Sequence, residues 1–211
     1  MELIAQGIQT TLIITSVALI AGLLIGITLA IVRTMQIPVL DQLAKVYINL
    51  FRSLPLVIVL LGFYLVAPQV IRSTLGISGD IRLACALVAF SVFEGAYFAE
   101  ILRAGINAIP KNQLQACKAI GFTTLQSYRH VLIPQAIKNS TPVLMTQSIV
   151  LFQDTALVYI IGLHDFFGSA VQIGEMNGRS TQMILAASIA YMAICIVTQR
   201  IANKITTKEI A

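Results

Sequence analysis

Long apolar stretches dominate this chain, and its charged residues fall mainly between them. Five stretches approach the length of about 20 mostly apolar residues that a bilayer span requires. They lie near residues 8–32, 53–71, 83–102, 139–162 and 180–200. Glu94 and Glu100 interrupt the third stretch, and Asp154 interrupts the fourth. The pattern predicts an all-α integral membrane protein with five transmembrane helices, arranged as a single transmembrane domain over residues 1–211.

The basic residues are divided unequally between the segments that join these stretches. Eleven of the 14 lie in one set of segments, and only Arg72, Arg82 and Arg179 lie in the other. Lys and Arg are enriched on the cytoplasmic side of membrane proteins. We therefore expect the N-terminus outside, the C-terminus inside, and the long loop 103–138 in the cytoplasm.

Composition supports a membrane protein and disfavours several other classes. The chain is 57% hydrophobic and 11% charged, whereas soluble domains carry roughly 25% charged residues. The net charge of +5 comes from residues strung between apolar runs, which does not indicate nucleic-acid binding. The three cysteines are far apart, and no phosphate-binding glycine loop or HExxH metal motif occurs. We expect no metal, no cofactor and no enzymatic activity in this chain.

Small residues recur at every fourth position in two of the stretches. They are Ala18, Gly22, Gly26 and Ala30 in the first, and Ser91, Gly95 and Ala99 in the third. Such stripes let helix backbones approach closely in lipid. We expect them to pack within the chain, with packing against a second membrane subunit as the alternative.

Residues 38–53 follow a different pattern. Apolar residues recur at helical spacing on one face, while Asp41, Lys45 and Asn49 lie on another. This predicts an amphipathic helix that leads into the second span. Pro55 comes directly afterwards, and we expect it to kink or start that span.

The 103–138 loop is long for a connector and carries its own helix signals. Pro110 suits the first turn of one helix, and Gly121 suits the left-handed position after its end. Thr123 and Gln126 form a capping box for a second helix, which we expect to stop before Pro134. A capped helix pair of this kind indicates a docking surface for a soluble partner.

The same loop resembles the EAA loop of bacterial ABC importer permeases, in the runs 112–121 and 131–136. Gln115 stands where the family usually has glutamate, and Cys117 replaces the second alanine. The resemblance implies that the loop contacts a separate ATPase through Gln113, Gln115, Ala116, Gly121 and Pro134.

Three further segments resemble those of polar amino-acid ABC importer permeases, the histidine, glutamine and glutamate type. They are FRSLPL at 51–56, AEILRAGI at 99–106 and FQDTAL at 152–157. The run FQDTALVYIIGLHDFF looks most like glutamate/aspartate permeases. The resemblance implies import of glutamate or aspartate, with another polar amino acid such as glutamine as the alternative.

The resemblance also implies a MetI-like ABC permease fold with cytoplasmic coupling helices, multi-pass in the bacterial cytoplasmic (inner) membrane. The implied partners are a dimeric ABC ATPase that binds the ATP, a second permease subunit, and an external amino-acid-binding protein. The second permease is either a copy of this chain or a related one. Membrane lipid surrounds the assembly, and no nucleic acid is involved.

Glu94 lies 11 residues beyond Leu83, which places it roughly 16 Å deep at about 1.5 Å per residue. A carboxylate at that depth is costly, so it should face the bundle interior, a partner or a water-filled path. Two interpretations remain open: Glu94 lines the translocation path, or it hydrogen-bonds to another helix.

Gln147 and Asp154 are seven residues apart and share one face of the fourth span. Our hypothesis is that this face lines the substrate path, where Asp154 pairs with the α-ammonium of an amino acid. Ser148 and Thr155 could add hydrogen bonds. The alternative is polar contact between helices.

Glu100 and Arg103 are spaced to pair on one helix face at the cytoplasmic end of the third span. We interpret them as a structural pair that positions the docking loop. A small ion or solute channel with a pore lined by Glu94 and Asp154 is the alternative from another class. A channel, however, has no need of a capped cytoplasmic helix pair.

Overall fold

The computed structural model describes residues 2–75 and 80–210, which form helices joined by short turns. The α-helices are α1 (Glu2–Met35), α2 (Pro38–Ser53), α3 (Leu56–Leu75), α4 (Arg82–Asn107), α5 (Lys111–Ala119), α6 (Thr124–Ser127), α7 (Ile133–Asp154), α8 (Phe166–Met176) and α9 (Ser180–Ile210). A π-helical turn, Tyr128–Leu132, joins α6 to α7, and a 3₁₀ segment, Thr155–Ile161, continues α7.

Four helices of the described part are long and apolar enough to cross a membrane. They are α1, α4, the continuous helical run Thr124–Ile161, and α9 over Ser180–Lys204. The pair α2 and α3 passes the same test together, but its two helices are bent by 106°. The fold is therefore all-helical with four or five candidate spans, depending on whether the bent pair crosses the membrane as one broken span.

The bend between α2 and α3 follows from Pro55. Leu54, directly before it, is extended (φ −101°, ψ 141°), as expected of a residue that precedes proline. The Pro55 carbonyl then accepts from the amides of Ile58 and Val59 in the first turn of α3. The prediction that Pro55 starts this helix is confirmed.

The predicted amphipathic helix is α2, with the predicted boundaries. Ala44 and Ile48 are buried, and the Tyr47 hydroxyl donates to the Val92 carbonyl of α4 at 2.5 Å. A second apolar stripe stays exposed and comprises Val39, Leu43, Val46 and Leu50. Thus α2 packs one face on the bundle and leaves another apolar face uncovered in the single chain.

Close packing of α1 on α4 uses the small-residue stripes. A Cβ atom on Gly26 would lie 2.6 Å from the Phe98 Cβ and 2.9 Å from the Ala99 backbone nitrogen. A Cβ on Gly95 would lie 2.6 Å from the Ile25 Cγ2. The prediction that these stripes pack within the chain is confirmed.

We expect Gly26→Leu to lower the free energy of unfolding by about 1–3 kcal/mol, because the helices must separate to admit the side chain. The thermal unfolding midpoint of the purified chain in detergent measures this loss. Gly62→Leu on α3 is the matched control, since a Cβ there meets nothing within 4 Å. An equal loss in both variants would contradict the close-packing argument.

One boundary predicted from the sequence is wrong. The helix that begins at Thr124 does not stop before Pro134 but continues to Ile161. The π-helical turn ends at Leu132, so Pro134 falls in the first turn of α7. Pro134 has no amide hydrogen to donate, and the π-helical turn directly before it changes the hydrogen-bond pattern at this point; such π-turns occur as single turns within longer helices. The second half of the predicted loop is therefore rigidly continuous with the predicted fourth span.

Candidate functional site

The first polar feature inside the bundle is a hydrogen bond between α4 and α7. Glu94 is fully buried, with 0% exposure. Its carboxylate accepts from the Gln147 side-chain amide, at 3.1 Å to Oε2 and 3.3 Å to Oε1. On the α1 side, a Cβ on Gly22 would lie 3.0 Å from the Glu94 Cβ. Three helices therefore enclose this carboxylate, and a glycine makes room for it.

Asp154 ends α7 and is only partly buried. It has no hydrogen-bond or ion-pair partner among residues 2–69 and 80–204, whose side chains the structure describes. Asp154 lies seven residues beyond Gln147 on the same face of α7, about 10 Å further along the helix axis. This face of α7 thus carries both Asp154 and the donor to Glu94, and of the two carboxylates only Glu94 is hydrogen-bonded within the described residues. An acidic region of this kind can accept a cationic group such as an ammonium.

Ser148 and Thr155 directly follow Gln147 and Asp154 in the sequence, but the structure does not bring them to the Glu94–Gln147 hydrogen bond, and each bonds to its own helix. The Ser148 hydroxyl donates to the Leu144 carbonyl at 2.8 Å, and the buried Thr155 hydroxyl donates to the Phe152 carbonyl at 2.7 Å. Ser148 also lines a largely apolar cavity of about 400 Å³ between α1, α7 and α9. Both hydroxyls have therefore used their proton, and their remaining lone pairs can only accept.

Removing the Gln147 amide should destabilise the bundle, because Glu94 would stay buried without its donor. We expect Gln147→Leu to lower the free energy of unfolding by about 1–3 kcal/mol. Glu94→Gln should cost less, since the new side chain keeps an acceptor for Gln147. Thermal unfolding in detergent measures both variants. Gln153→Leu is the control on the same helix, because Gln153 is exposed and its amide donates to the Cys195 sulfur instead of a buried carboxylate. If Gln147→Leu lowered the unfolding midpoint no more than Gln153→Leu does, the Gln147–Glu94 hydrogen bond would not stabilise the bundle as expected.

The pair predicted at the C-terminal end of α4 is present. The Arg103 Nε donates to the Glu100 Oε2 at 3.0 Å, and the Arg103 Nη2 donates to Oε1. Asp41 of α2 similarly bridges Arg33 of α1 and Lys45, at 3.0 and 2.5 Å. The Arg33–Asp41 pair thus joins α1 to α2, while the Arg103–Glu100 pair lies within α4, near the end of the bundle where the α5–α6 segment is attached.

At the opposite end, a buried aspartate missed by the sequence reasoning organises α8. Asp165 caps this helix, accepting from the amides of Gly168 (2.8 Å) and Phe167 (3.2 Å) and from the Tyr191 hydroxyl (3.1 Å). Burial raises the pKa of the Asp165 carboxyl, and these donors partly offset the rise. The aspartate directly before a run of helix-forming residues was an available N-cap signal.

The α5–α6 segment has the predicted turn chemistry. The amide of Phe122 donates to the Cys117 carbonyl and the amide of Gly121 to the Lys118 carbonyl, each at 3.0 Å. This is a Schellman motif, and Gly121 has the φ of +88° that it requires. Both hydrogen bonds of the capping box between Thr123 and Gln126 are present.

We call residues 111–129 the docking element. Its inner side includes buried Cys117 and Tyr128, and the Gln135 side chain of α7 donates to the Gln113 Oε1 at 3.2 Å. Gln113 therefore faces the bundle, unlike the other residues predicted for this contact. The exposed residues of the predicted set are Gln115, Ala116, Gly121 and, just beyond the element, Pro134.

A helical bundle with a polar region at its centre and a capped docking element at one end defines a membrane-embedded transport subunit. Over residues 5–208 the chain matches the family described as the binding-protein-dependent transport system inner membrane component, and it belongs to that family. The family predicted from the sequence is confirmed.

Curated relatives match over most of their length. The chain is 48% identical over 191 residues to the glutamate/aspartate import permease protein GltK of Escherichia coli O6:H1, covering 90% of this chain and 85% of GltK. It is 33% identical over 205 residues to the arginine transport system permease protein ArtQ of Bacillus subtilis, covering 97% and 91%. Both relatives are permeases, so the chain is a transport subunit of amino-acid permease type.

Solved structures agree with the fold. A crystal structure of an amino acid ABC transporter with histidines has a TM-score of 0.83 and 28% identity, covering 98% of this chain and 94% of the other. An inward-facing structure of the MetNI methionine ABC transporter has a TM-score of 0.81 at 21% identity, covering 99% and 97%. The MetI-like permease fold is therefore confirmed.

Proposed function

We propose that this chain is a permease subunit of an ATP-driven importer of glutamate and aspartate in the bacterial inner membrane. The observation that carries the proposal is the 48% identity to GltK over 90% of the chain. A relative whose name specifies glutamine, the putative permease GlnP of Rickettsia conorii, is 32% identical over 92% of the chain. ATP hydrolysis belongs to a separate ATPase subunit, and this chain supplies the path through the membrane.

Five spans fit this role, with α2 and α3 forming the second as a broken span. The uneven distribution of basic residues supports an outer N-terminus and an inner C-terminus. In this orientation the docking element faces the cytoplasm, where an ATPase operates, and α8 lies towards the outside, where a binding protein would approach. A second permease subunit, identical or related, would complete the enclosure of the path.

The polar region between α4 and α7 is the proposed substrate path. Asp154 is an acceptor without a partner in the described part of the chain, and we assign it to the α-ammonium of the substrate. Gln147 and Glu94 form the wall beside it, whereas Ser148 lines the cavity between α1, α7 and α9 and lies outside this path. An ammonium has three donors and no acceptor, so such a lining suits it.

Coupling between ATP and transport follows from the continuity of one helix. The run Thr124–Ile161 begins in the docking element and carries both Gln147 and Asp154. Movement of the docking element on the ATPase would therefore be transmitted along this helix to the path. The Gln135–Gln113 hydrogen bond would keep α5 in register with that movement. The Ser140 hydroxyl of α7, which donates to the Ile101 carbonyl of α4, would do the same for α4.

The test is reconstitution in proteoliposomes with the ATPase, the second permease and the external binding protein encoded with it. We expect glutamate and aspartate to stimulate ATP hydrolysis and to accumulate inside the vesicles. Stimulation by glutamine alone would replace the proposed substrate. Conductance without any associated ATPase would instead favour the channel alternative.

A further inference from the structure

The docking element has an unusual distribution of charge. No Asp or Glu occurs between Glu100 and Asp154, a stretch that includes the whole docking element. Lys111, Lys118 and Arg129 are all exposed there. None of the three takes part in an ion pair with any side chain that the structure describes. The element is therefore cationic, and no described side chain neutralises it through an ion pair.

Exposed apolar side chains lie among these charges. Ile120 is 72% exposed and Leu125 is 61% exposed, one on each side of the Gly121 turn. Lys118 lies in the last turn of α5, and Ile120 directly follows the end of that helix. Protein interfaces commonly combine a central apolar contact with a charged and polar rim. Ile120 and Leu125 fit the centre of such a contact, and the basic side chains fit its rim.

The residue at position 115 also affects the charge of the docking element. Gln115 is exposed on α5 and stands where the EAA loops that this segment resembles usually carry a glutamate. The docking element therefore lacks a carboxylate at the one position where an acidic residue would be expected. An ATPase surface with a basic side chain opposite position 115 would form no ion pair with Gln115 and would repel Lys118.

We infer that the docking element mates with an acidic surface on the ATPase, whose carboxylates lie around an apolar groove and oppose Lys118 and its basic neighbours. This inference rests on the proposed function, because it takes the ATPase as the partner. Charge complementarity of this kind speeds association and excludes partners of the wrong sign. The chain would thus discriminate its own ATPase from ATPases that present a basic groove.

The experiment measures binding of the fluorescently labelled ATPase to the complete permease pair in lipid nanodiscs. We expect wild-type binding to weaken as salt rises, because screening acts on exposed charges. Lys118→Glu should weaken binding by about tenfold or more, and Lys118→Gln by about threefold, since the first adds repulsion to the lost attraction. Gln115→Glu, which restores the usual carboxylate, should also weaken binding by about threefold.

Lys138→Glu is the matched control, with the same change in charge at an exposed position of α7 outside the docking element. Tighter or unchanged binding by Gln115→Glu would overturn the inference, as would equal effects of Lys118→Glu and Lys138→Glu. An effect of Lys118→Glu that vanishes in nanodiscs of neutral lipid would assign the charge to lipid headgroups and also overturn it. Absence of any binding between the ATPase and the wild-type permease would overturn the proposed function itself. Failure of the proposed function can therefore be distinguished from failure of the inference about the acidic surface.

Discussion

Asp154→Asn should lower the rate of glutamate uptake by the reconstituted importer by about 10- to 100-fold. The substitution keeps the size of the side chain but removes the charge that we assign to the substrate ammonium. A hydrogen bond to a charged group contributes about 1.5–3 kcal/mol, which corresponds to this range. Because Asp154 has no partner within the described part of the chain, the loss should appear in transport and not in thermal stability.

Uptake of labelled glutamate and thermal unfolding, measured on the same preparation, test this expectation. Glu175→Gln is the control: it makes the same chemical change at an exposed residue of α8. Normal uptake by Asp154→Asn at normal expression would remove Asp154 from the path. A large fall in the unfolding midpoint would indicate instead that Asp154 serves contacts between helices.

Gly121→Val should abolish most substrate-stimulated ATP hydrolysis. Gly121 has φ +88°, and a Cβ there meets nothing within 4 Å, so the substitution introduces backbone strain without a clash. A β-branched residue strongly disfavours the left-handed region, so the Schellman turn should rearrange and misplace Ile120 and Leu125. Misplacement by about 1 Å can cost about 100-fold where function depends on geometry.

Gly178→Val makes a matched comparison. Gly178 also has a positive φ (+64°) and equally open surroundings, but it lies in the turn after α8. We expect Gly178→Val to introduce backbone strain similar to that of Gly121→Val. The importer that contains it should nevertheless hydrolyse ATP near the wild-type rate. Equal loss of activity in both variants would show that strain acts through general misfolding and not through the docking element.

Local signals in the sequence predicted local structure well. The capping box at Thr123, the left-handed Gly121 and the start of α3 at Pro55 are each determined by neighbouring residues, and all three are confirmed. Hydropathy also placed the apolar helices, because the bilayer fixes their length. The exception was Pro134, where the sequence signal for a helix end was overridden by a π-helical turn.

Contacts between residues that are far apart in the sequence were harder to predict from it. The spacing of Glu94 in α4 indicated a buried carboxylate, but only the fold shows that Gln147, 53 residues later, donates to it. The sequence likewise did not reveal the buried position of Asp165, because Tyr191, its hydrogen-bond donor from α9, is 26 residues away. The partners of Glu94 and Asp165 thus depend on helix packing that a single sequence does not encode locally.

The uninterrupted helix from Thr124 to Ile161 also constrains which insertions and deletions this chain can tolerate. Each residue added to an α-helix rotates everything beyond it by about 100° and advances it by about 1.5 Å. One residue inserted between Pro134 and Gln147 would turn Asp154 away from α4 while leaving the docking element in place. Functional homologues should therefore share the spacing from Gly121 to Asp154.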